Sequence, residues 1–522
     1  MGTPQRTLPK LSSLLEYLEH YADLNPEAIA LWDDERQMDW QALRHQVQLL
    51  AQEWLHCGIE PGDRVGFLGA PSIDFWLTFL AAQSVGAVWV GINPQYTYRE
   101  IAHVLTDAAP RVVFRSSDMD AAAVEPLRAA WTDVGGAKLY RISDAPDQLL
   151  ANQLGADELV DRKVAMIVYT SGTTGRPKGA LLTGSGLVEN GWWIARRLGG
   201  VPQRTLVNLP VNHIGCVGDV CVSAFLTGGT LVFQAKFDPV DAVRMIRERE
   251  ISWVAQVPAQ FQLLLDRGGV TAEDLASIRC LMWGGAPMPR GLIEQYAVLV
   301  PDLCCSYGLT ECSGTITISP PGTTIERLAD SVGQPVSEDR LRIVDGNGQP
   351  LVDGECGEIQ LAGPHLFAGY LHAAEATAEA FTQDGWLKTG DLGCLLEDGS
   401  VALRGRTREM FKSGGYNVYP REVEEVIEAL SDVELCAVVP TEDELWSEVG
   451  VAFVQSQSGR LSADALKEHC SMSLAKYKVP KFFVLLADLP LLPIGKVDTR
   501  QLIESWEQER ERERERERSV NG

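Results

Sequence analysis

The order of apolar runs between Val160 and Gly285 constrains the fold of this chain more than any other feature. Val164 to Tyr169 is a short apolar run that ends in a loop of glycines and threonines. Thr230 to Phe233 reads as a strand, and Ala242, Val243, Met245 and Ile246 then fall at helical spacing. Ile251 to Val257 is again strand-like, Phe261 to Leu265 helical, and Cys280 to Trp283 strand-like. Strand-length runs that alternate with helix-period runs predict an α/β fold, with mostly parallel sheets and covering helices. Ligands of such sheets sit at the carboxyl ends of strands. The Gly/Thr loop after Tyr169 and the Gly284-Gly285 turn after Trp283 both fall at such ends.

Past Arg404 the texture changes. Val423, Val426, Ile427 and Leu430 keep helical spacing, strand-like runs follow at Leu435 to Val439 and Val449 to Val454, then a helix near Ala463 to Leu474 and a strand at Phe482 to Leu486. This pattern predicts a separate small α+β unit of ordinary domain size. The expected organisation is residues 1–404 as a large N-terminal domain, 405–409 as a hinge, 410–508 as a small mobile C-terminal domain and 509–522 as a charged tail. Alternating Glu and Arg from Glu509 to Arg518 suit an exposed helix end that frays, with opposite charges at i,i+3 and like charges at i,i+4.

Composition removes several classes. The net charge is −25, so the basic face of a nucleic-acid binder and the basic stripe of a membrane-surface protein are not visible. The eleven cysteines contain no CxxC, which argues against zinc ribbons and thioredoxin-like chemistry and for small core residues in a reducing cytoplasm. Met1 to Lys10 is polar and does not read as a signal peptide. Phe75 to Ile92 has the length of a membrane span, but Thr78, Gln83, Ser84 and Gly86 interrupt it, and it reads as a core helix, turn and strand.

The densest chemical signal is Tyr169-Thr170-Ser171-Gly172-Thr173-Thr174-Gly175-Arg176-Pro177-Lys178-Gly179. Glycines let backbone N–H groups converge on an anion, the hydroxyls add donors and Lys178 adds a point charge, which together suit a polyphosphate. It is not a Walker loop, because Gly179 stands where Ser or Thr is required.

This segment resembles the phosphate loop of the adenylate-forming (AMP-binding) superfamily, which includes acyl-CoA synthetases, luciferases and peptide-synthetase adenylation domains. Four further segments resemble that family's signatures in order: Tyr307-Gly308-Leu309-Thr310-Glu311, Thr389-Gly390-Asp391, Gly405-Arg406 with Lys412 to Pro420, and Pro493-Ile494-Gly495-Lys496. The resemblance implies that Thr170, Ser171, Gly172, Thr173, Thr174, Gly175 and Lys178 cradle the phosphates of ATP, with Gly285, Ala286, Pro287, Ser306, Tyr307 and Gly308 around the nucleotide. Thr310 would donate to the α-phosphate, and Glu311 would hold Mg²⁺, a hard cation that wants carboxylate oxygen. Tyr307 would offer a face to adenine, Asp391 would accept from the ribose hydroxyls, and Arg406 would donate to ribose or phosphate oxygen. Lys496 would screen the approach of a carboxylate to the α-phosphate, a contribution on the order of 3 kcal/mol to the barrier.

By the same resemblance, His213, Ile214, Phe261, Trp283 and Gly284 would line an acyl pocket. Gly414, Gly415 and Tyr416 would pass the pantetheine arm of CoA, and Arg408 would be the pivot of the small domain, where the family commonly has Asp or Lys. The Asp that amino-acid-activating relatives carry near Asn212-His213 is absent, which disfavours amino acids. The implied reaction is ATP-dependent activation of an uncharged aryl, cyclic or medium-chain acid to an acyl-adenylate, then transfer to CoA. Transfer to a carrier protein or an amine stays open, as does homodimerisation. A silent nucleotide-binding scaffold is disfavoured by the intact Lys178, Glu311, Asp391, Arg406 and Lys496. A P-loop kinase is disfavoured by the missing Walker pattern.

Overall fold

The computed structural model describes residues 8–116, 121–133, 140–141, 164–170, 177–337, 340–406, 411–413, 416–430, 432–443, 445–456, 461–492 and 497–521. Among these residues the strands form sheets of nine, seven, four and five strands. In the nine-stranded sheet Thr230–Phe233, Arg204–Val207, Trp253–Gln256, Cys280–Trp283 and Leu303–Leu309 run parallel to one another, as the alternating pattern predicts. Helices Pro239–Glu248, Pro258–Asp266 and Arg290–Ala297 cover one face, where Ile246, Phe261 and Tyr296 pack on Val254, Leu281 and Trp283.

The centre of the seven-stranded sheet is also parallel, with Val112–Arg115, Arg64–Leu68, Val88–Ile92 and Val164–Thr170 side by side. The apolar run from Phe75 is the buried helix Ile73–Val85, a turn at Gly86 and the buried strand Val88–Ile92. Its helix is apolar on nearly all sides because both large sheets contact it, the situation in which a globular helix loses its polar face. Phe75 stands between Trp89 of one sheet and Phe233 of the other, with ring centroids 5.6 and 6.3 Å away. Among the described residues no helix is long and apolar enough to cross a membrane.

Antiparallel pairing enters where strands follow one another through a tight connection, which needs no crossover helix. Val164–Thr170 pairs antiparallel with Lys178–Thr183, and Leu303–Leu309 with Gly314–Ile318. The sheet of Leu341–Val344, Cys356–Leu361, Leu387–Leu395 and Val401–Arg406 is antiparallel throughout, an addition to the mostly parallel expectation. Gly405 and Arg406, which open the expected hinge, are the last two residues of its final strand, and residues 407–410 lie outside the described set.

The C-terminal sheet contains Leu435–Asp443, Ser447–Gln455 and Phe482–Leu486, with helices Pro420–Glu428 and Ala463–Ser473 packed through Val423, Ile427, Leu466 and Cys470. A single helix, Thr499–Asn521, lays Leu502 and Trp506 on the opposite face and continues through the Glu/Arg run.

Candidate active site

The first signature occupies a hairpin. Thr170 lies opposite Lys178 in its ladder, and residues 171–176 between them are outside the described set. Both arms are tied to the helix Tyr98–Ala108. The Tyr169 hydroxyl donates to Asp107 Oδ2 at 2.8 Å, and a ring nitrogen of His103 meets the Pro177 carbonyl at 2.8 Å. Burial, then the neighbouring Asp107 carboxylate, hold the Tyr169 phenol well above its ordinary range, so it stays a donor. That helix begins with a reciprocal cap in which Thr97 Oγ1 accepts from the Glu100 N–H and Glu100 accepts from the Thr97 N–H.

The second signature is also a hairpin. Leu303–Leu309 runs into a single turn, Thr310–Cys312, and the chain reverses through Ser313 (φ 59°) and Gly314 (φ 125°) into Gly314–Ile318. Gly308 pairs with Thr315, and a Cβ on Gly308 would lie 1.9 Å from the Gly314 carbonyl oxygen, so only glycine permits the close crossing. Glu311 is thereby carried to the tip.

Tyr370 joins the two hairpins. Its strand, Gly369–Tyr370, pairs antiparallel with Lys178–Thr183, with Tyr370 opposite Ala180. The Tyr370 hydroxyl donates to Glu311 Oε1 at 2.7 Å, and Lys178 Nζ lies 5.0 Å from the centroid of the same ring, a cation–π distance. The Phe367 N–H donates to the Glu311 carbonyl at 2.8 Å. The lysine of one signature and the carboxylate of the other thus meet on one phenol. Nothing in the sequence reading pointed to Tyr370, which sits inside neither signature; only its place on the edge of the first hairpin makes it a partner.

The third cluster gathers Tyr307, Asp391 and Arg406. Asp391 and Arg406 face each other across antiparallel strands. Asp391 Oδ2 accepts from the Tyr307 hydroxyl at 2.5 Å, and Oδ1 accepts from Arg406 Nε at 2.8 Å. The Asp391 N–H donates to Thr389 Oγ1 at 3.0 Å, and that hydroxyl donates to the Ile359 carbonyl at 2.7 Å, which explains the Thr at the head of the third signature. Burial, then Asp391, push the Tyr307 phenol well above its ordinary range. Tyr307 is only 8% exposed and its hydroxyl is committed to Asp391, and Asp391 already accepts two hydrogen bonds before any ribose arrives. Each carboxylate oxygen keeps a second lone-pair site.

The residues expected around the acyl group do not share one wall. Ile214 belongs to the large core between the sheets, whereas Phe261 and Trp283 are sealed in the helix-covered core on the other face, where Tyr296 donates to the Phe261 carbonyl at 2.8 Å. The alternation of a strand explains the split: Met282 and Trp283 are adjacent and point to opposite faces. His213 Nδ1 accepts from the Gly215 N–H at 3.1 Å, and that residue and Asn212 are partly exposed at the start of an unusual π-helix, Gly215–Val222. Gly284 and Gly285 follow Trp283 at the strand end, Ser306 Oγ donates to the Trp283 carbonyl at 3.3 Å, and Ala286 and Pro287 continue the open turn. Ser171, Gly172, Thr173, Thr174, Gly175, Arg408, Gly414, Gly415 and Lys496 lie outside the described residues, as does the Tyr416 side chain.

The structure adds a polar chain at the carboxyl ends of three parallel strands. Gln256 Nε2 donates to Asn208 Oδ1 at 3.2 Å, Asn208 Nδ2 to Gln234 Oε1 at 2.9 Å, and Gln234 Nε2 to Asp241 Oδ2 at 3.0 Å. Each of these amides ends an apolar run, a signal that could have been read.

A lysine, a carboxylate, and an Asp–Arg pair gathered on hairpins at the rim of a mostly parallel α/β sheet, with a small α+β unit following, define the adenylate-forming class of ligases. The chain belongs to the AMP-binding enzyme family: that family's profile matches residues 18–371, and the AMP-binding enzyme C-terminal domain matches residues 422–496. It is 32% identical over 479 residues to a feruloyl-CoA synthase of Amycolatopsis sp., covering 91% of this chain and 95% of that one. It is 32% identical over 510 residues to an indoleacetate–CoA ligase of Aromatoleum aromaticum, covering 94% and 98%. The O-succinylbenzoate coenzyme A synthetase of Bacillus subtilis, solved with ATP and a magnesium ion, superposes with a TM-score of 0.78 at 27% identity, over 92% of this chain and 98% of that one.

Proposed function

We propose that this protein is an ATP-dependent carboxylic acid–CoA ligase. It would form an acyl-adenylate and pyrophosphate from an uncharged aryl, cyclic or medium-chain acid, then an acyl-CoA thioester and AMP. The observation that carries this reading is the meeting of Lys178 and Glu311 on Tyr370. A cation and a carboxylate held a ring apart suit a polyphosphate and its counter-ion. The feruloyl and indoleacetate named in the two relatives are aryl acyl groups and support the substrate class.

Glu311 is the residue that would hold Mg²⁺. Among the described residues no cluster of three or more His, Cys, Asp or Glu could hold a metal by itself. That fits Mg²⁺, which is commonly held by one or two carboxylates together with substrate phosphates and water. Bound there, it would offset phosphate charge. Lys178 would add a second positive charge and Thr310 a donor. Asp391 would take ribose hydroxyls on its remaining lone pairs, its orientation set by Tyr307, Arg406 and Thr389. Lys496 is assigned to adenylation, Arg408 to a pivot between 1–404 and 410–508, and Gly414 to Tyr416 to the CoA path. The eleven cysteines are all free, which supports a reducing cytoplasm.

The test is release of pyrophosphate and AMP from Mg-ATP with a panel of aryl, cyclic and fatty acids, each with and without CoA. Turnover that requires one acid class and CoA supports the reading. Pyrophosphate release that CoA does not accelerate moves the acceptor to a carrier protein or an amine. ADP in place of AMP overturns it.

A further inference from the structure

Cys280 with Cys304, Cys216 with Cys221, and Cys356 with Cys394 are cysteines whose side chains hydrogen-bond to each other. Both members of the first two pairs are buried, where a thiol is inert. The third pair differs, because Cys356 is exposed while Cys394 beneath it is only 4% exposed. The two stand directly opposite each other in the antiparallel ladder of Cys356–Leu361 and Leu387–Leu395, and the register stays regular through Gly357 with Gly393 and Glu358 with Leu392. Directly opposed residues share one face of a sheet with Cα atoms about 4.5 to 5.5 Å apart. A disulfide spans Cα separations of about 4.4 to 6.8 Å, so these strands can be bridged where they already lie.

Arg404 ties this pair to the C-terminal unit. Across the next ladder Gly393 pairs with Leu403 and Leu392 with Gly405, so Arg404 is the extra residue of a β-bulge, a device that re-aims a side chain. Its guanidinium donates to the Cys356 sulfur. Its Nη1 also lies 3.5 Å from Glu425 Oε2, on the helix Pro420–Glu428. Burial works against the Arg404 charge, and Glu425, then the sulfurs of Cys394 and Cys356, outweigh it. The same two strands carry Asp391 and Arg406. Burial, and then the Cys394 sulfur, push the Cys356 thiol up, while Arg404 draws it down. Such a thiol is a slow nucleophile, which stays reduced until an oxidant is in excess.

We propose that Cys356 and Cys394 are a redox modification site, a dithiol that a peroxide converts to a disulfide, loosening the hold of Arg404 on the C-terminal unit. The peroxide O–O bond breaks and an S–S bond forms. The two sulfurs give up two electrons and their two protons, and both peroxide oxygens leave as water. Cys356 meets the oxidant because it is exposed, and Cys394 resolves the resulting sulfenic acid without having to diffuse to it. A sulfur bonded to Cys394 is drawn from Arg404 and is a weaker acceptor than a thiol. The guanidinium then keeps Glu425 alone, and with one anchor gone it holds that carboxylate less firmly. In a reducing compartment such a bond forms transiently and thiol reductants reverse it, the pattern of a sensing disulfide and not of a structural one.

The experiment treats the full chain with excess hydrogen peroxide, blocks the remaining thiols and reads intact mass and peptide map, for the parent, Cys356→Ser and Cys394→Ser. Backbone hydrogen exchange over Pro420–Glu428 reads the coupling to the C-terminal unit. The expected result is a loss of about 2 Da in the parent, a peptide joining Cys356 to Cys394, and full reversal by dithiothreitol. Neither variant should form that peptide, and Cys394→Ser should instead gain oxygen on Cys356. Exchange over the helix should rise roughly threefold or more in the bridged parent, return on reduction, and stay unchanged in peroxide-treated Cys356→Ser. Oxygen gained on Cys356 of the parent without a bridge, or a bridge that forms first between other cysteines, overturns the site. A bridged parent with unchanged exchange overturns the coupling through Arg404. If Cys394→Ser fails to fold, Cys356→Ser, altered at an exposed position, carries the comparison. No arm measures turnover, so failure of the ligase reading and failure of this inference are told apart.

Discussion

Arg64–Leu68 and Val88–Ile92, parallel and central, are buried at every position, whereas Leu303–Leu309 and Leu387–Leu395, each paired antiparallel with the strand that follows it, mix buried with accessible residues. A parallel strand covered on both faces has no position to give to chemistry. An antiparallel pair at a sheet edge can bury one face and present the other, and its turn can be as short as Thr310–Cys312. In this molecule Thr170, Lys178, Tyr307, Asp391 and Arg406 stand on antiparallel pairs, and Glu311 sits in the turn that joins one of them. The parallel strands set the frame, and the hairpins carry the candidate site residues.

The sharpest way to break that division is Glu311→Gln. Gln keeps an acceptor for the Tyr370 hydroxyl and removes only the charge. Pyrophosphate release should fall at least a hundredfold, about 3 kcal/mol in barrier, with a weakened response to Mg²⁺ and a melting temperature within a degree or two of the parent. The mirror experiment is Leu68→Ala in the parallel centre, where the side chain is 0% exposed. Urea unfolding should show a loss of about 2 to 5 kcal/mol, with kcat per folded molecule unchanged. If Glu311→Gln unfolds the protein, or Leu68→Ala abolishes turnover without destabilising it, frame and chemistry are not separable here.

The parallel frame was legible because period-2 and period-3.6 runs survive in a single chain: Thr230–Phe233, Cys280–Trp283 and Phe482–Leu486 have the ends expected from their apolar residues. The hairpins were legible only as motifs. Nothing in Thr389-Gly390-Asp391 says that Arg406 will lie across a ladder from it, because pairing register is a long-range property. Tyr370 and Asp219 were invisible for the same reason. Each is an ordinary residue in its own segment, and Tyr370 acquires Glu311, and Asp219 acquires Asn190 Nδ2 and the Thr315 N–H, through segments at least 29 residues away. The split of Ile214 from Phe261 and Trp283 is the converse case, since sequence proximity to a site does not say which face of a sheet a side chain takes.

A buried histidine and a partly exposed aspartate sharpen the comparison through opposite pH dependence. Burial, and then Arg340, push His365 down to about 4, so its neutral form is favoured in the fold. Its contribution is complete above about pH 6.5 and is lost as pH falls toward 4, about 3 kcal/mol. Asp219, pushed up to about 6, works the other way: its contribution is complete below about pH 4 and is lost as pH rises through 6, again about 3 kcal/mol. Asp219→Asn should therefore be more stable than the parent at pH 8 by up to about 3 kcal/mol, with the difference shrinking to nothing near pH 4. Urea midpoints at pH 4, 6 and 8 measure it. A variant less stable than the parent at pH 8 would mean that the hydrogen bonds from Asn190 Nδ2 and the Thr315 N–H outweigh the burial of the charged carboxylate.

Tyr370→Phe is expected to give the smallest effect and the finest resolution. Phe keeps the ring under Lys178 and removes the hydrogen bond to Glu311 Oε1. A hydrogen bond to a charged acceptor is worth about 1.5 to 3 kcal/mol at most, and Glu311 at the accessible tip can recover part of it from water. Activity should therefore drop roughly tenfold, carried by kcat and by the apparent affinity for Mg²⁺, with little change in the KM of the acid. Tyr370→Leu removes the cation–π partner as well and should lower activity further, now through the KM of ATP, because Lys178 loses the surface that holds it over the hairpin. If Phe and Leu behave alike, the ring only fills space between the hairpins, and the meeting of Lys178 and Glu311 is set by the backbone ladder alone.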